Sequence, residues 1–382
     1  MGYQRSLELS GEKLQGFKYI ESVGSLLEKL RPVGTQRDQA GNRTFFFDQY
    51  AALLLMYFFN PVLDSLRGLQ KASELKKVQK QCQCGRVSLG ALSEAAAVFE
   101  PEKLRGIVQE LSGQIDPASL SAERVALRTL TAVDGSLLRA LPRMTWALWQ
   151  DDRHRAAKLH LHFEVARGVP VDASVTCGQE SEIRQLRHAL EAGRLYVLDR
   201  GYVAYELLEE IMQARASFIV RVKANTAFTV QEERPIPPEA QAAGVIRDVI
   251  VARLGTDHHK RQVTRPVRLV EVSSGAGTIL LVTDRLDLPA DLVALAYRYR
   301  WSVELFFRWL KCVLGCRHLL GESFHAVQIQ VYAALIASLL LVAWTHKKPN
   351  KRTFEMLCFY FSGWATEDEV QHHIAQLPTA SG

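Results

Sequence analysis

Tyr297, Arg300, Glu304 and Lys311 follow the spacing Y-x-x-R-x-x-x-E-x-x-x-x-x-x-K over fifteen residues. On an α-helix turning about 100° per residue, the four side chains fall within an arc of roughly 60°. One carboxylate then stands among a phenol, a guanidinium and an ammonium, which suits a divalent cation beside a polyphosphate. A plain surface helix could also pair Glu304 with Arg300 and Arg308 at i±4. The flanking Trp301, Leu305, Phe306, Phe307, Trp309 and Leu310 argue against that, because charge amid so much aromatic surface is costly unless it has a task. Two upstream aspartates extend the oxygen donor set. Asp134 follows the apolar run Leu130–Val133 and precedes Gly135-Ser136, and Asp199 follows Leu195–Leu198 and precedes Arg200-Gly201-Tyr202.

Three carboxylates drawn from two strand ends and a later helix can hold two Mg²⁺ ions, since hard cations take oxygen ligands and substrate phosphates. Two such ions about 4 Å apart activate a water or a 3′-hydroxyl and stabilise the leaving oxygen of an in-line displacement. Arg300 and Lys311 would neutralise phosphate charge. Tyr297 would hydrogen-bond to a nucleotide or stack on it.

The elements that must position these groups read as follows. Residues 1–120 are helical: Asp48–Phe59 is strongly apolar, Asn60-Pro61 breaks it, and a basic amphipathic helix runs from about Val62 to Lys80. Ser88 caps a helix through Val98, and Glu100-Pro101 opens another. This region is either a helix-turn-helix-like unit or a plain bundle. From about residue 125 strands appear: Leu130–Val133, Lys158–Val165, Val169–Thr176, Leu195–Leu198 and Ser217–Lys223, with helices at Gln179–Glu191 and Val203–Gln213. That order indicates a mixed sheet with helices on its faces. Both aspartates close apolar strands beside a glycine, a common place for function. Residues 225–285 are β-rich at Val245–Val251, Val267–Val272 and Thr278–Val282, with Lys260, Arg261, Arg265 and Arg268 as a basic rim. Val331–Trp344 is too short an apolar run for a membrane span and reads as a buried helix.

At 382 residues and 48% hydrophobic, the chain can bury large cores and is not a disordered protein. The formal charge of +6 is mild, but residues 61–90 set six basic side chains against two acidic, and residues 296–318 set five against one. Two basic segments far apart suggest two places of phosphate contact. The six cysteines are irregularly spaced and make no disulfide framework, and Cys82-Gln-Cys84 has no matching second pair for zinc. Met1-Gly2 with Ser6 matches a short myristoylation pattern that chance often supplies. No secretory signal opens the chain, so a cytoplasmic protein is expected. His160 and His162, two apart on one strand face, read as strand residues near a DNA surface. Asp151, Asp152 and Asp172 lack the strand-then-glycine context.

The chain resembles bacterial insertion-sequence transposases of the DDE type, in the branch usually called the IS-four family. The resemblance is carried by Asp134 in V-D-G-S, Asp199 in L-D-R-G-Y, and Y-R-Y-R-W-S-V-E-L-F-F-R-W-L-K from Tyr297 to Lys311. Arg221-Val-Lys223 and Leu286-Asp-Leu-Pro289 add to it. It spans roughly residues 125–345. The resemblance implies an α/β protein with an RNase H-like mixed-sheet catalytic core, a β-strand insertion, an N-terminal helical DNA-binding region and a short helical C-terminus. The implied division is 1–120 for the DNA-binding helices, 121–224 for the first part of the core, and 225–285 for the insertion. Residues 286–345 would be the second part with the glutamate helix, and 346–382 the C-terminal helices and tail.

The implied activity is cleavage at transposon ends with Mg²⁺, with Mn²⁺ as a substitute, followed by attack of the 3′-hydroxyl on target DNA. Asp134 would bridge both ions, and Asp199 and Glu304 would each bind one. Tyr297, Arg300 and Lys311 would grip terminal phosphates, with Arg308 beside them. Lys76, Lys77, Lys80 and Arg86 would contact DNA from the N-terminal region. The partners implied are double-stranded DNA and a second copy of the chain, in the bacterial nucleoid, with no membrane. Residues 225–285 contain no Trp, and Phe228 is their only aromatic. Trp301 is therefore the candidate for stacking on a displaced base, and the second-strand route stays open. A catalytically silent DNA-binding derivative, acting as repressor or architectural factor, and an RNase H-like junction resolvase are the alternatives.

Overall fold

A computed structural model describes residues 24–32, 41–60, 62–116, 122–151, 154–255, 263, 265–275, 277–316, 318–347, 350–361 and 364–377. The Met1-Gly2 pattern, Asp152, Lys260, Arg261 and the tail 378–382 lie outside the described residues.

Alternating apolar runs fold into nine strands: β1 Leu130–Arg139, β2 Ala156–Glu164, β3 Val169–Cys177, β4 Leu195–Leu198, β5 Ser217–Val222, β6 Phe228–Glu233, β7 Val245–Leu254, β8 Val267–Ser274 and β9 Gly277–Thr283. They form one mixed sheet in the order β3-β2-β1-β4-β5-β9-β8-β7-β6. β1, β2 and β3 make an antiparallel meander. β4 joins β1 in parallel, and β5 joins β4 in parallel. Helices α6 (Glu182–His188) and α7 (Tyr205–Gln213) make the connections that parallel pairing requires. This is the RNase H-like mixed α/β core that the resemblance implies.

β1 is longer than the sequence indicates. The expectation that it ends at Val133 is corrected: pairing with β2 continues through Gly135↔His160 to Arg139↔Ala156. Asp134 therefore lies within a strand and not in a turn. β1 loses its other neighbour sooner, because pairing with β4 covers only Leu130, Thr131 and Ala132.

Successive strand residues point to opposite faces. Leu130, Ala132 and Leu138 join one core, with Phe306 and the long helix α11 (Phe324–Thr345). Val133 joins the other, with Leu186, Leu207, Leu208 and Ile211. By parity, Asp134 and Ser136 face the first side and Gly135 the second. α11 is long and apolar enough to cross a membrane by length, but 94% of its apolar window is buried inside the protein, as expected for a buried helix.

The 225–285 segment extends the same sheet, through antiparallel β5–β9 pairing, and carries the short helix α8 (Pro238–Ala242). Arg268 corrects the basic-rim expectation. It is buried, and its guanidinium donates to both Asp248 oxygens, at 2.8 and 2.6 Å, and to the Leu288 carbonyl. Arg268 thus ties the added strands to Leu288, two residues before α9 (Ala290–Tyr299).

The N-terminal helices are α1 (Phe47–Phe59), α2 (Leu66–Ala72), α3 (Lys76–Gln81), α4 (Leu89–Val98) and α5 (Pro101–Gln114). The single helix expected from Val62 to Lys80 is broken after Ala72. Ser73 is buried, and its hydroxyl accepts from the Val87 amide at 3.0 Å and donates to the Gln70 carbonyl at 2.6 Å. Leu75 then turns extended to open α3. α5 packs on β3 and α11, with Arg105 bidentate on Asp172 at 2.8 Å for both contacts. α12 (Lys351–Phe361) and α13 (Glu367–Ala375) are the two short C-terminal helices expected.

Candidate active site

The parallel register of β1 and β4 brings the two aspartates together. Ala132 stands opposite Val197, and two residues further along each chain come Asp134 and Asp199. Asp199 begins where β4 ends and caps a short 3₁₀ turn, Arg200–Tyr202, accepting from the Gly201 amide at 2.6 Å. Asp134 accepts from the Gly135 amide at 2.8 Å.

Glu304 comes from α10 (Trp301–Arg308), which packs on β1. Its oxygen accepts from Arg300 at 2.6 Å, and the same guanidinium approaches Asp134 at 3.8 Å. Arg300 thus stands between the first aspartate and the glutamate. The i, i+4 pairing expected of a plain helix is present, but it also reaches a strand carboxylate.

The four signature residues do not share one uninterrupted α-helix. Arg300 bonds back to Tyr297 in an i−3 contact that separates α9 from α10. Trp309–Val313 is a π-helical turn, and such turns often mark functional sites. It re-aims Lys311, whose ammonium donates to the Ser136 hydroxyl and the Leu137 carbonyl, both at 2.6 Å. Lys311 is therefore fixed on β1, two residues past Asp134. Arg221 at the end of β5 and Asp199 are among the charges acting on Tyr297. The site thus has an Asp199–Tyr297–Arg221 side and an Asp134–Arg300–Glu304 side.

Burial is the main reason the Asp134 carboxyl is pushed up to about 6. Its Gly135 hydrogen bond and Arg300 pull the other way, while Glu182 and Asp199 raise it further. A carboxylate so raised is short of positive charge, which a cation would supply. The donor set is all oxygen, as a hard cation requires. Among the described residues no three His, Cys, Asp or Glu converge into a ready cage. Mg²⁺ does not need one, since it binds through one or two carboxylates, waters and substrate phosphates. The residues present fit such an ion, with Arg300 as its competitor.

Trp301 is about half exposed (49%), with the Arg300 guanidinium over its ring at 5.7 Å. Trp309 is buried. Arg308, Lys76, Lys77, Lys80 and Arg86 are exposed, and Arg86 pairs with Glu74 at 3.1 Å. The described contacts link none of these five to the carboxylates. His160 and His162 are buried, which corrects their placement near a DNA surface, and burial pushes both down to about 4. Asp172 is committed to Arg105 and Gln109.

Glu182 was not legible as a site residue. It opens α6, and its carboxylate lies 2.6 Å from where a Cβ on Gly135 would stand. No sequence signal separates it from Glu180 or Glu191. Only the absent side chain at Gly135, beside Asp134, hints at a neighbour needing space.

The family profile described as "Transposase DDE domain" matches residues 126–340, more than half of the chain. Three relatives agree with that match. "Putative transposase y4zB" of Sinorhizobium fredii is 32% identical over 234 residues, covering 60% of this chain and 64% of the relative. "Probable transposase for insertion sequence element IS5377" of Geobacillus stearothermophilus is 27% identical, covering 58% and 59%. "Putative transposase for insertion sequence element IS4SA" of Synechocystis is 21% identical, covering 55% and 58%. The chain spans less than two thirds of the length of each relative.

Proposed function

This chain belongs to the transposase DDE domain family, and we propose that it is a bacterial insertion-sequence transposase. It cuts DNA at the terminal inverted repeats of its element and joins the 3′ ends to target DNA. The observation that carries this reading is the shared register of Asp134 and Asp199, with Glu304 facing Asp134 across Arg300.

Asp134, Asp199 and Glu304 would hold Mg²⁺, or Mn²⁺ in its place. The ions would supply charge neutralisation and an activated oxygen nucleophile for in-line phosphoryl transfer. The protein's own groups do the rest. Arg300 balances Asp134 and Glu304 until a cation and DNA arrive, and is then placed to take a phosphate oxygen. A guanidinium suits that exchange because its planar fork binds carboxylate and phosphate alike. Lys311 holds Ser136 and Leu137, so the strand that carries Asp134 stays fixed against the π-helical turn. Tyr297 and Arg221 line the Asp199 side, where a second phosphate can sit. The exposed face of Trp301 offers a surface for a displaced base.

DNA is the proposed partner, with Lys76, Lys77, Lys80, Arg86 and Arg308 adding charge that draws in its backbone. A second copy of the chain would bring two element ends together. The signature spacing favours the Y-R-E-K branch among such enzymes.

Strand transfer tests the reading. A duplex ending in the element's own terminus, pre-cut to expose its 3′-hydroxyl, is incubated with supercoiled plasmid, the full-length protein and Mg²⁺. Covalent joining is expected. Cleavage without joining would indicate a different nuclease, and DNA binding without either would indicate a silent derivative.

A further inference from the structure

Glu182 stands apart from the three family carboxylates, yet it reaches the same strand. Its Oε1 lies 2.6 Å and its Cδ 2.8 Å from the position a Cβ would take on Gly135, so a side chain there would displace the Glu182 carboxylate. That glycine follows Asp134 directly. β1 has no β4 partner beyond Ala132, so the edge beside Asp134 is open toward the Asp199 turn.

Two groups flank Glu182 there. Lys158 on β2 approaches it at 3.5 Å. Tyr202, buried in the turn that Asp199 caps, stands beside it and lines a shared cavity. The carboxylate thus lies among β1, β2 and the Asp199 turn, while its side chain stays about a third exposed (32%).

Below it lies a cavity of about 10 Å³, lined by Glu182, Tyr202, Gln185 and His160 among others. That is room for about one water. His160 lines the cavity at 4% exposure, and its Nδ1 has no hydrogen-bond partner among the described residues. An unpartnered buried polar atom on a residue lining a water-sized space calls for a polar occupant such as a water.

We propose that Glu182 is a fourth carboxylate of the cation site, binding on the Gly135 side of the Asp134 edge. The proposal rests on the transposase reading and extends its ligand set. A purely structural Glu182 would open α6 and pair with Lys158, and its loss would lower stability alone.

The test is Mn²⁺ binding to the full-length, DNA-free protein by titration calorimetry, with circular dichroism to confirm folding. Glu182→Gln is expected to weaken Mn²⁺ binding on the order of ten-fold or more, the usual cost of losing a supporting metal-site group. Gly135→Ala leaves every carboxylate in the chain but pushes Glu182 off β1, so it is expected to weaken Mn²⁺ binding too, and it serves if Glu182→Gln does not fold. Wild-type affinity in a folded Glu182→Gln or Gly135→Ala protein overturns the proposal. If Asp134→Asn loses Mn²⁺ while Glu182→Gln does not, only the fourth carboxylate falls. If neither variant changes binding, the cation site itself falls.

Discussion

Asp134, inside β1, and Asp199, just past the end of the parallel strand β4, stand at the same register level, each two residues beyond the Ala132↔Val197 pair. Pairing between β1 and β4 sets the level up to Ala132 and Val197, and the turn that Asp199 caps carries it on. One strand runs on and the other stops, so a carboxylate inside a sheet meets a carboxylate at a strand end. Arg300 then links the first of them to Glu304.

Burial raises the Asp134 carboxyl from 3.8 to about 6. Folding therefore favours its protonated form. The resulting stability is fully present below about pH 4 and is lost as pH rises through about 6. Two units correspond to at most about 3 kcal/mol. Asp134→Asn should accordingly be more stable than wild type in EDTA at pH 8, with the gap closing toward pH 4. Urea denaturation at the two pH values measures it, and a gap that widens on acidification would refute the assignment.

The same carboxyl should make cation binding depend on pH. Metal ligands must be deprotonated, so protons compete with the ion. Mn²⁺ affinity should be level above about pH 7 and fall below about 6, by up to about ten-fold per pH unit. Calorimetry across this range would show it, and an affinity flat down to pH 5 would speak against Asp134 as a ligand.

Arg300 neutralises two carboxylates in the metal-free protein. Arg300→Ala should lower metal-free stability by about 1–3 kcal/mol, since the pair is only partly buried. It should also tighten Mn²⁺ binding by removing a competing cation, while weakening binding to duplex DNA. Weaker Mn²⁺ binding would mean that Arg300 organises the site and does not compete for it.

Arg268 and Asp248 form a buried pair with side chains only 3% and 2% exposed. Arg268→Met strands the Asp248 charge and should cost about 3–5 kcal/mol. The Leu288 carbonyl before α9 loses its donor as well. Thermal unfolding measures the cost, and a change under about 1 kcal/mol would show that the pair contributes little.

The sequence revealed most of what alternation and spacing encode. Strand existence, the helical flanks, and both aspartates beside apolar runs follow from side-chain period and glycine placement. The buried α11 was legible because its apolar run is unbroken. What hydrogen bonding between distant segments decides was not legible. β1 outruns its apolar segment because β2 pairs with it to Arg139. The π-helical turn that aims Lys311 at Ser136 depends on tertiary contacts such as Trp309 on Ser338. Arg268 looks like surface charge until Asp248 is seen across from it. Glu182 is seen beside Asp134 only when the chain folds it against Gly135.

The central claim is that Asp134, Asp199 and Glu304 together cut DNA. Its most direct measurement is Mg²⁺-dependent cleavage of a DNA fragment carrying the coding sequence with its flanks, by wild type and by Asp134→Ala, Asp199→Ala and Glu304→Ala. The account predicts cuts at the element ends for wild type, abolished by EDTA, and none detectable for any variant, with DNA binding retained in all four. Wild-type cleavage by any one of the three variants would contradict it.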